Sequence, residues 1–236
     1  MSAWRDRLAR IAVGLVCVAL LWPLRDLRFA AVVAITTHDA RPGTAPPLPR
    51  ADGVGVTPTS RLRVVLIDGA GRDTAATMPA WDGLCARGLD LTVDVGFPTV
   101  SLPVELALWS GRTQQQTGVL YHATGKPVLP LAPGLIPSQV PGSIAIAESA
   151  QYIVHSLGFA TTLPPITPDK KLPEGWAGTG WIDAALAAVA SPTRLAFVHV
   201  LRVDTAGHKF GKRSPQWRDA AATSDAVLAQ LLAAAP

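Results

Sequence analysis

Cysteine is nearly absent from this chain: Cys17 and Cys85 are the only two in 236 residues. That leaves no material for a disulfide framework and too few ligands for a thiolate zinc centre. Charge is sparse too, at 16% of residues with a formal net charge of +4. The basic residues are dispersed, with no aromatic-interleaved stripe, so nothing points to nucleic-acid binding. No internal repeat is visible. The apolar run at residues 11–22 falls short of the roughly 20 residues of a membrane-spanning helix. Arg5, Arg7 and Arg10 precede it, which is the order of a secretory signal: a positive segment, then an apolar one. A second apolar stretch follows at 29–37. No small-x-small cleavage pattern follows, and Val16 precedes Cys17 where a lipidated cysteine needs a small residue. Residues 1–38 are therefore expected to be a signal or uncleaved anchor, with the remainder facing the periplasm or cell exterior, or exported.

Residues 39–60 are rich in Pro, Gly, Thr and Ala, and Pro46, Pro47, Pro49 and Pro58 favour an extended linker. The folded domain is expected over 61–236. Residues 62–67 form a nearly continuous apolar run, as in a strand buried on both faces. The pattern then predicts a helix over 78–87, a strand over 89–95, and a helix over 102–110 closed by Gly111. Next come a strand over 143–147, a helix over 150–157 ended by Gly158, a helix over 181–190, a strand over 195–203 and a helix over 215–234. Alternating strands and helices imply an α/β fold with a mostly parallel sheet and helices on both faces. The Pro/Gly-rich stretches 125–141 and 164–180 read as loops.

Two of these strands end in an aspartate, Asp68 before Gly69, and Asp204 in Asp204-Thr205-Ala206-Gly207-His208. Ligands of open α/β sheets sit beyond the carboxyl ends of the strands. Two carboxylates and one imidazole at that edge suit a divalent cation such as zinc. Taken alone, Asp68 also reads as a turn residue. Ser101 opens a helix: Ser is a favoured N-cap and Pro103 suits the first turn. A hydroxyl there reads either as a cap or as a nucleophile, because a helix N-terminus favours an alkoxide and a bound phosphate. Thr99 is the competing hydroxyl. His199, inside the later strand, reads as a core residue or a support for the site; His38, His122 and His155 read as structural or surface. Asp225 reads as a solvated or capping carboxylate. Lys209, Lys212 and Arg213 read as an attraction for an anionic substrate or as a solvated loop.

Together, the segments Val65–Gly69, Pro98–Pro103 with Trp109–Gly111, and Asp204–Gly211 resemble the alkaline phosphatase superfamily. The branches they look like are type I phosphodiesterase/nucleotide pyrophosphatases and the ethanolamine-phosphate transferases of GPI-anchor synthesis. The resemblance runs from about residue 61 to 225. It implies two divalent metal ions, usually zinc, one held by Asp68 with the nucleophile Ser101, the other by Asp204 and His208. It implies a phosphate mono- or diester substrate, and a phospho-enzyme at Ser101 released to water or to an alcohol. Val104 stands where pyrophosphatases place a polar phosphate-holding residue, and Thr117 where relatives often have histidine. The family's further Asp-His-Gly and Gly-His-Gly-like segments lie C-terminal to the helix matching 215–234. The expectation is thus an N-terminal portion of a membrane-anchored metallo-hydrolase or phospho-transferase whose second metal site is incomplete in this chain. The rival readings are a non-catalytic fold and a tethered binding module. The Cys-x-Pro-x-Arg motif of sulfatases is absent. Sequence leaves the oligomeric state open.

Overall fold

The computed structural model describes residues 2–36, 61–122, 125–129, 131–132, 134–165 and 175–236. The linker expected at 39–60 and His38 lie outside the described residues.

At the N-terminus, α1 (Ser2–Thr36) is one continuous helix with Pro23 inside it. The apolar run does not stop at Trp22. The 27 residues Asp6–Val32 are long and apolar enough to cross a membrane, by length and composition, and none of that stretch is buried in protein.

The remaining described residues build a sheet of four parallel strands in the order β1 (Leu62–Ile67), β4 (Leu195–Val200), β2 (Ile144–Ala147), β3 (Thr161–Leu163). The short β3 escapes the sequence pattern because three residues carry no measurable alternation. Between β1 and β2 lie α2 (Arg72–Ala75), α3 (Pro79–Cys85), α4 (Ser101–Ser110) and α5 (Gln114–Thr117). A one-turn α6 (Tyr152–His155) precedes β3, and α7 (Trp181–Ala190) precedes β4. The chain ends with α8 (Arg202–Phe210) and α9 (Pro215–Ala234). Turn chemistry fixes several ends. Gly111 closes α4 at φ 66°, and Ser214 caps α9 by accepting the Trp217 N–H at 3.1 Å with Pro215 following.

Successive side chains of a strand point to opposite faces, and that period divides the core. Leu195 and Phe197 of β4 and Val64 and Leu66 of β1 pack with Leu102, Leu106 and Trp109 of α4. Ala196, Val198 and Val200 pack on the other face with Trp181, Ala185 and Val189 of α7 and Val227 and Leu231 of α9. Trp109, Phe159 and Phe197 meet with ring centroids 5.2–5.6 Å apart. The Arg63 guanidinium donates to the carbonyls of Val189, Ser191 and Thr193 at 2.7–2.9 Å, tying the end of α7 to β1.

Three expectations need correction. Residues 89–95 form no strand, and Leu89, Leu91 and Val93 are exposed. The helix expected over 150–157 shrinks to the single turn of α6. The strand expected to reach Val203 ends at Val200, so Asp204 stands in the first turn of α8 rather than at a strand end.

Candidate active site

Asp68 follows β1 by one residue, and the face shared by Val64 and Leu66 is the α4 side. Continuing that period puts Asp68 over the start of α4. On β4, His199 continues the face of Leu195 and Phe197, and in the register of the pair it stands opposite Leu66. Both side chains therefore reach α4 on one side of the sheet.

Ser101 is the first residue of α4, one past the N-cap position, which Val100 occupies. Its hydroxyl donates to Asp68 Oδ2 at 2.5 Å, while Asp68 Oδ1 accepts the Gly69 N–H at 2.8 Å. The capping reading of Ser101 is thus set aside by the geometry. One helical turn further on, Glu105 sits between Leu102 and Trp109 on the inner face of α4 and is fully buried. His199 Nε2 lies 3.3 Å from Glu105 Oε1 and 3.7 Å from Asp68 Oδ2. One ligand atom from each of Asp68, Glu105 and His199 lies within 4.8 Å of the others, a grouping that could hold a metal ion.

Asp204 and His208 occupy adjacent turns of α8, with His208 Nε2 3.4 Å from Asp204 Oδ1. The His208 side chain is 83% exposed, against 28% for Asp204. The two pairs touch through the backbone, since the Asp204 N–H donates to the Asp68 carbonyl at 3.2 Å. This approach needs a glycine at 69: φ is +73°, and a Cβ there would lie 2.5 Å from Asp204 Cα. The start of α8 is held by Glu148, just beyond β2. Glu148 Oε2 accepts the N–H groups of Leu201 and Arg202 at 2.9 and 3.0 Å, and Oε1 accepts Arg202 Nε at 2.8 Å. Arg202 in turn stacks over Trp181 at 5.4 Å.

The electrostatics follow from burial and proximity. Burial pushes the Asp68 carboxyl upward, but the facing His199 imidazole and the Ser101 hydroxyl outweigh it and hold Asp68 below its ordinary value. Burial opposes a charged His199, yet the Glu105 and Asp68 carboxylates keep its pKa raised. Burial lifts Glu105 to about 7, with His199 opposing. Asp204 is raised by burial and by the Asp68 charge.

The structure therefore brings Asp68 and Ser101 into direct contact, sets the Asp204 backbone against them, and leaves His208 on the outer side. Sequence reasoning missed Glu105 and Glu148. A carboxylate at the inward position of an otherwise apolar helix face was the available signal for Glu105; Glu148 had none beyond its place after a strand. Of the other residues considered, Lys212 and Arg213 face Asp73 at 3.2 and 3.9 Å. Thr117 is buried, donating to the Gln114 carbonyl. Asp225 is neither solvated nor local in its capping; it accepts the N–H groups of Ala80 and Trp81 at the start of α3 at 3.0 and 3.1 Å. A cavity of about 640 Å³ lies beside β1, lined by Val65, Ile67, Met78, Trp81 and residues 90–93, and does not include Ser101.

The donor set of the site, carboxylates and imidazoles without thiolate, suits zinc and similar divalent ions. The buried oxygens of Glu105 and ring nitrogens of His199 have no hydrogen-bond partner among the described residues, so these residues fit a bound cation. No curated protein matches the chain. Residues 152–236 match the family model of type I phosphodiesterase / nucleotide pyrophosphatase, a stretch holding His199, Asp204 and His208. The all-parallel sheet with its helices is consistent with an alkaline phosphatase-like fold. Over residues 152–236, then, the chain is similar to the type I phosphodiesterase/nucleotide pyrophosphatase family of the alkaline phosphatase superfamily.

Proposed function

We propose that this protein is a metal-dependent hydrolase, or phospho-transferase, of phosphate mono- or diesters, with Ser101 as nucleophile. The observation that carries this reading is the 2.5 Å hydrogen bond from Ser101 to Asp68 at the N-terminus of α4. A free serine hydroxyl is a weak nucleophile at neutral pH and needs an activating neighbour. Asp68 supplies one: it stays a carboxylate, accepts the Ser101 hydrogen bond and orients the Oγ, and a divalent ion held by the two residues would lower the hydroxyl's pKa. The unsatisfied N–H groups and partial positive charge of the α4 N-terminus favour the phosphate oxygens.

Ser101 Oγ attacks phosphorus in line with the ester oxygen; the P–Oγ bond forms as the bond to the leaving alcohol breaks. Water then hydrolyses the phosphoserine, or an acceptor alcohol takes the phosphoryl group. Asp68 with Ser101 would hold one divalent ion, and Asp204 with His208 a second. When bound, such ions stabilise the attacking and leaving oxygens of an in-line displacement. Gly69 and the Glu148–Arg202 pair set the distance between the two halves of the site.

The test is hydrolysis of bis(p-nitrophenyl) phosphate and p-nitrophenyl phosphate by the zinc-supplemented full chain and by Ser101→Ala. We expect Ser101→Ala to lower kcat by about three orders of magnitude or more, the scale of losing an essential nucleophile. Equal rates remove Ser101 from the mechanism. No zinc-dependent turnover in either protein favours a non-catalytic fold. Adding an excess alcohol separates transferase from hydrolase, because a transferase yields the alkyl phosphate.

A further inference from the structure

The deepest part of the site holds two ionisable groups that the proposed reaction does not use. Glu105 and His199 are 1% and 0% exposed, and both Glu105 oxygens and both His199 nitrogens have no hydrogen-bond partner among the described residues. Burying a carboxylate without partners is costly, and buried charges in native proteins are paired or bind metals. The separations discriminate between those outcomes. At 3.3 and 3.7 Å, His199 Nε2 is too far from Glu105 Oε1 and Asp68 Oδ2 for a strong charge-assisted hydrogen bond, which runs at about 2.7–2.9 Å. Two donors bound to one tetrahedral zinc at about 2.0–2.2 Å stand roughly 3.3–3.6 Å apart. The Glu105 separation falls in that range and the Asp68 separation just beyond it.

We propose that Asp68, Glu105 and His199 form a buried binding site for one first-row divalent cation, with zinc the best match to two carboxylates and an imidazole. This ligand set differs from the Asp68–Ser101 and Asp204–His208 pairs above, and the proposal rests on that reading only in sharing Asp68. Two carboxylates and a neutral imidazole carry two negative charges, which a divalent ion neutralises. Each ligand comes from a separate part of the fold: just past the end of β1, the inner face of α4, and the C-terminal end of β4. The open side is Asp68, whose side chain is 19% exposed and gives the ion its way in. Asp68 Oδ2, the oxygen facing His199, also accepts the Ser101 hydroxyl, so the ion sits one atom from the nucleophile.

The probe is cobalt(II), added to the metal-stripped full chain in detergent, read by isothermal titration and by pulsed electron paramagnetic resonance for imidazole nitrogen. We expect a tight first equivalent with one coupled imidazole. The coupling should persist in His208→Gln and vanish in His199→Gln. Glu105→Gln, which keeps the side-chain volume, should weaken binding at least tenfold. Circular dichroism on the same samples reports folding, and Glu105→Asp provides a second, smaller perturbation should His199→Gln unfold. Imidazole coupling retained in His199→Gln, or unchanged affinity in folded Glu105→Gln, overturns the proposal. Cobalt binding retained by a Ser101→Ala protein without hydrolytic loss would instead count against the nucleophile alone, so the two readings fail separately.

Discussion

At the scale of single residues, the informative side chains are charges in apolar surroundings. Asp225 lies on α9 among Ser224, Val227 and Leu228, and its carboxylate reaches across to the first N–H groups of α3. Those donors have no partners within their own helix. Asp225→Ala should therefore lower stability by about 1 kcal/mol, the usual value of a lost cap. Urea denaturation checks this, with Asp225→Asn expected to recover part of the loss. Asp68 and Ser101 were legible in sequence because each sits in a short motif whose local geometry is strongly constrained: a strand end before glycine, and a helix start before proline. Glu105 was not, because its significance depends on which face of α4 meets the sheet. Only its spacing from Leu102 and Trp109 hinted at an inward direction.

At the scale of elements, the sequence pattern placed β1, β2, α4, α7 and α9 within a residue or two, since each has an apolar run or face with a clear stop. It misjudged the end of β4 because the apolar run continues through Leu201 and Val203. The chain turns there because Glu148 accepts the Leu201 and Arg202 N–H groups and so provides a ready start for α8. It also misjudged residues 89–95, whose alternation suits a strand but which pair with no strand among the described residues. The Glu148–Arg202 contact is partly buried, and its loss leaves two N–H groups and a guanidinium without acceptors. Glu148→Ala is expected to cost about 3 kcal/mol, at the lower bound for breaking a buried ion pair. Hydrolysis should fall as well, because α8 carries Asp204 and His208. A thermal melt paired with activity at a temperature where the variant stays folded separates the two effects; unchanged values in both would show that Glu148 does not hold α8 in place.

At the scale of the whole molecule, α1 and the α/β domain present opposite surfaces. Leu15, Leu20 and Leu24 of α1 are exposed, whereas the domain hides its apolar faces on both sides of the sheet. A helix of this length and hydropathy is suited to lipid. The full chain is expected to stay with membranes through a high-salt wash, and a variant beginning at Arg61 to be released. Recovery of the full chain in the soluble fraction would contradict this.

The strand order has a consequence for synthesis. Among the described residues β1 pairs with β4 alone, and β4 is the last of the four described strands in chain order. On the ribosome, β1 must wait with its hydrogen-bonding edge unfilled until the chain has grown past Val200. Long-range parallel pairing of this kind is slow and leaves nascent chains vulnerable to self-association. The aspartate proposed to activate the nucleophile hangs from the end of that waiting strand, so the proposed site cannot assemble until synthesis has passed Val200.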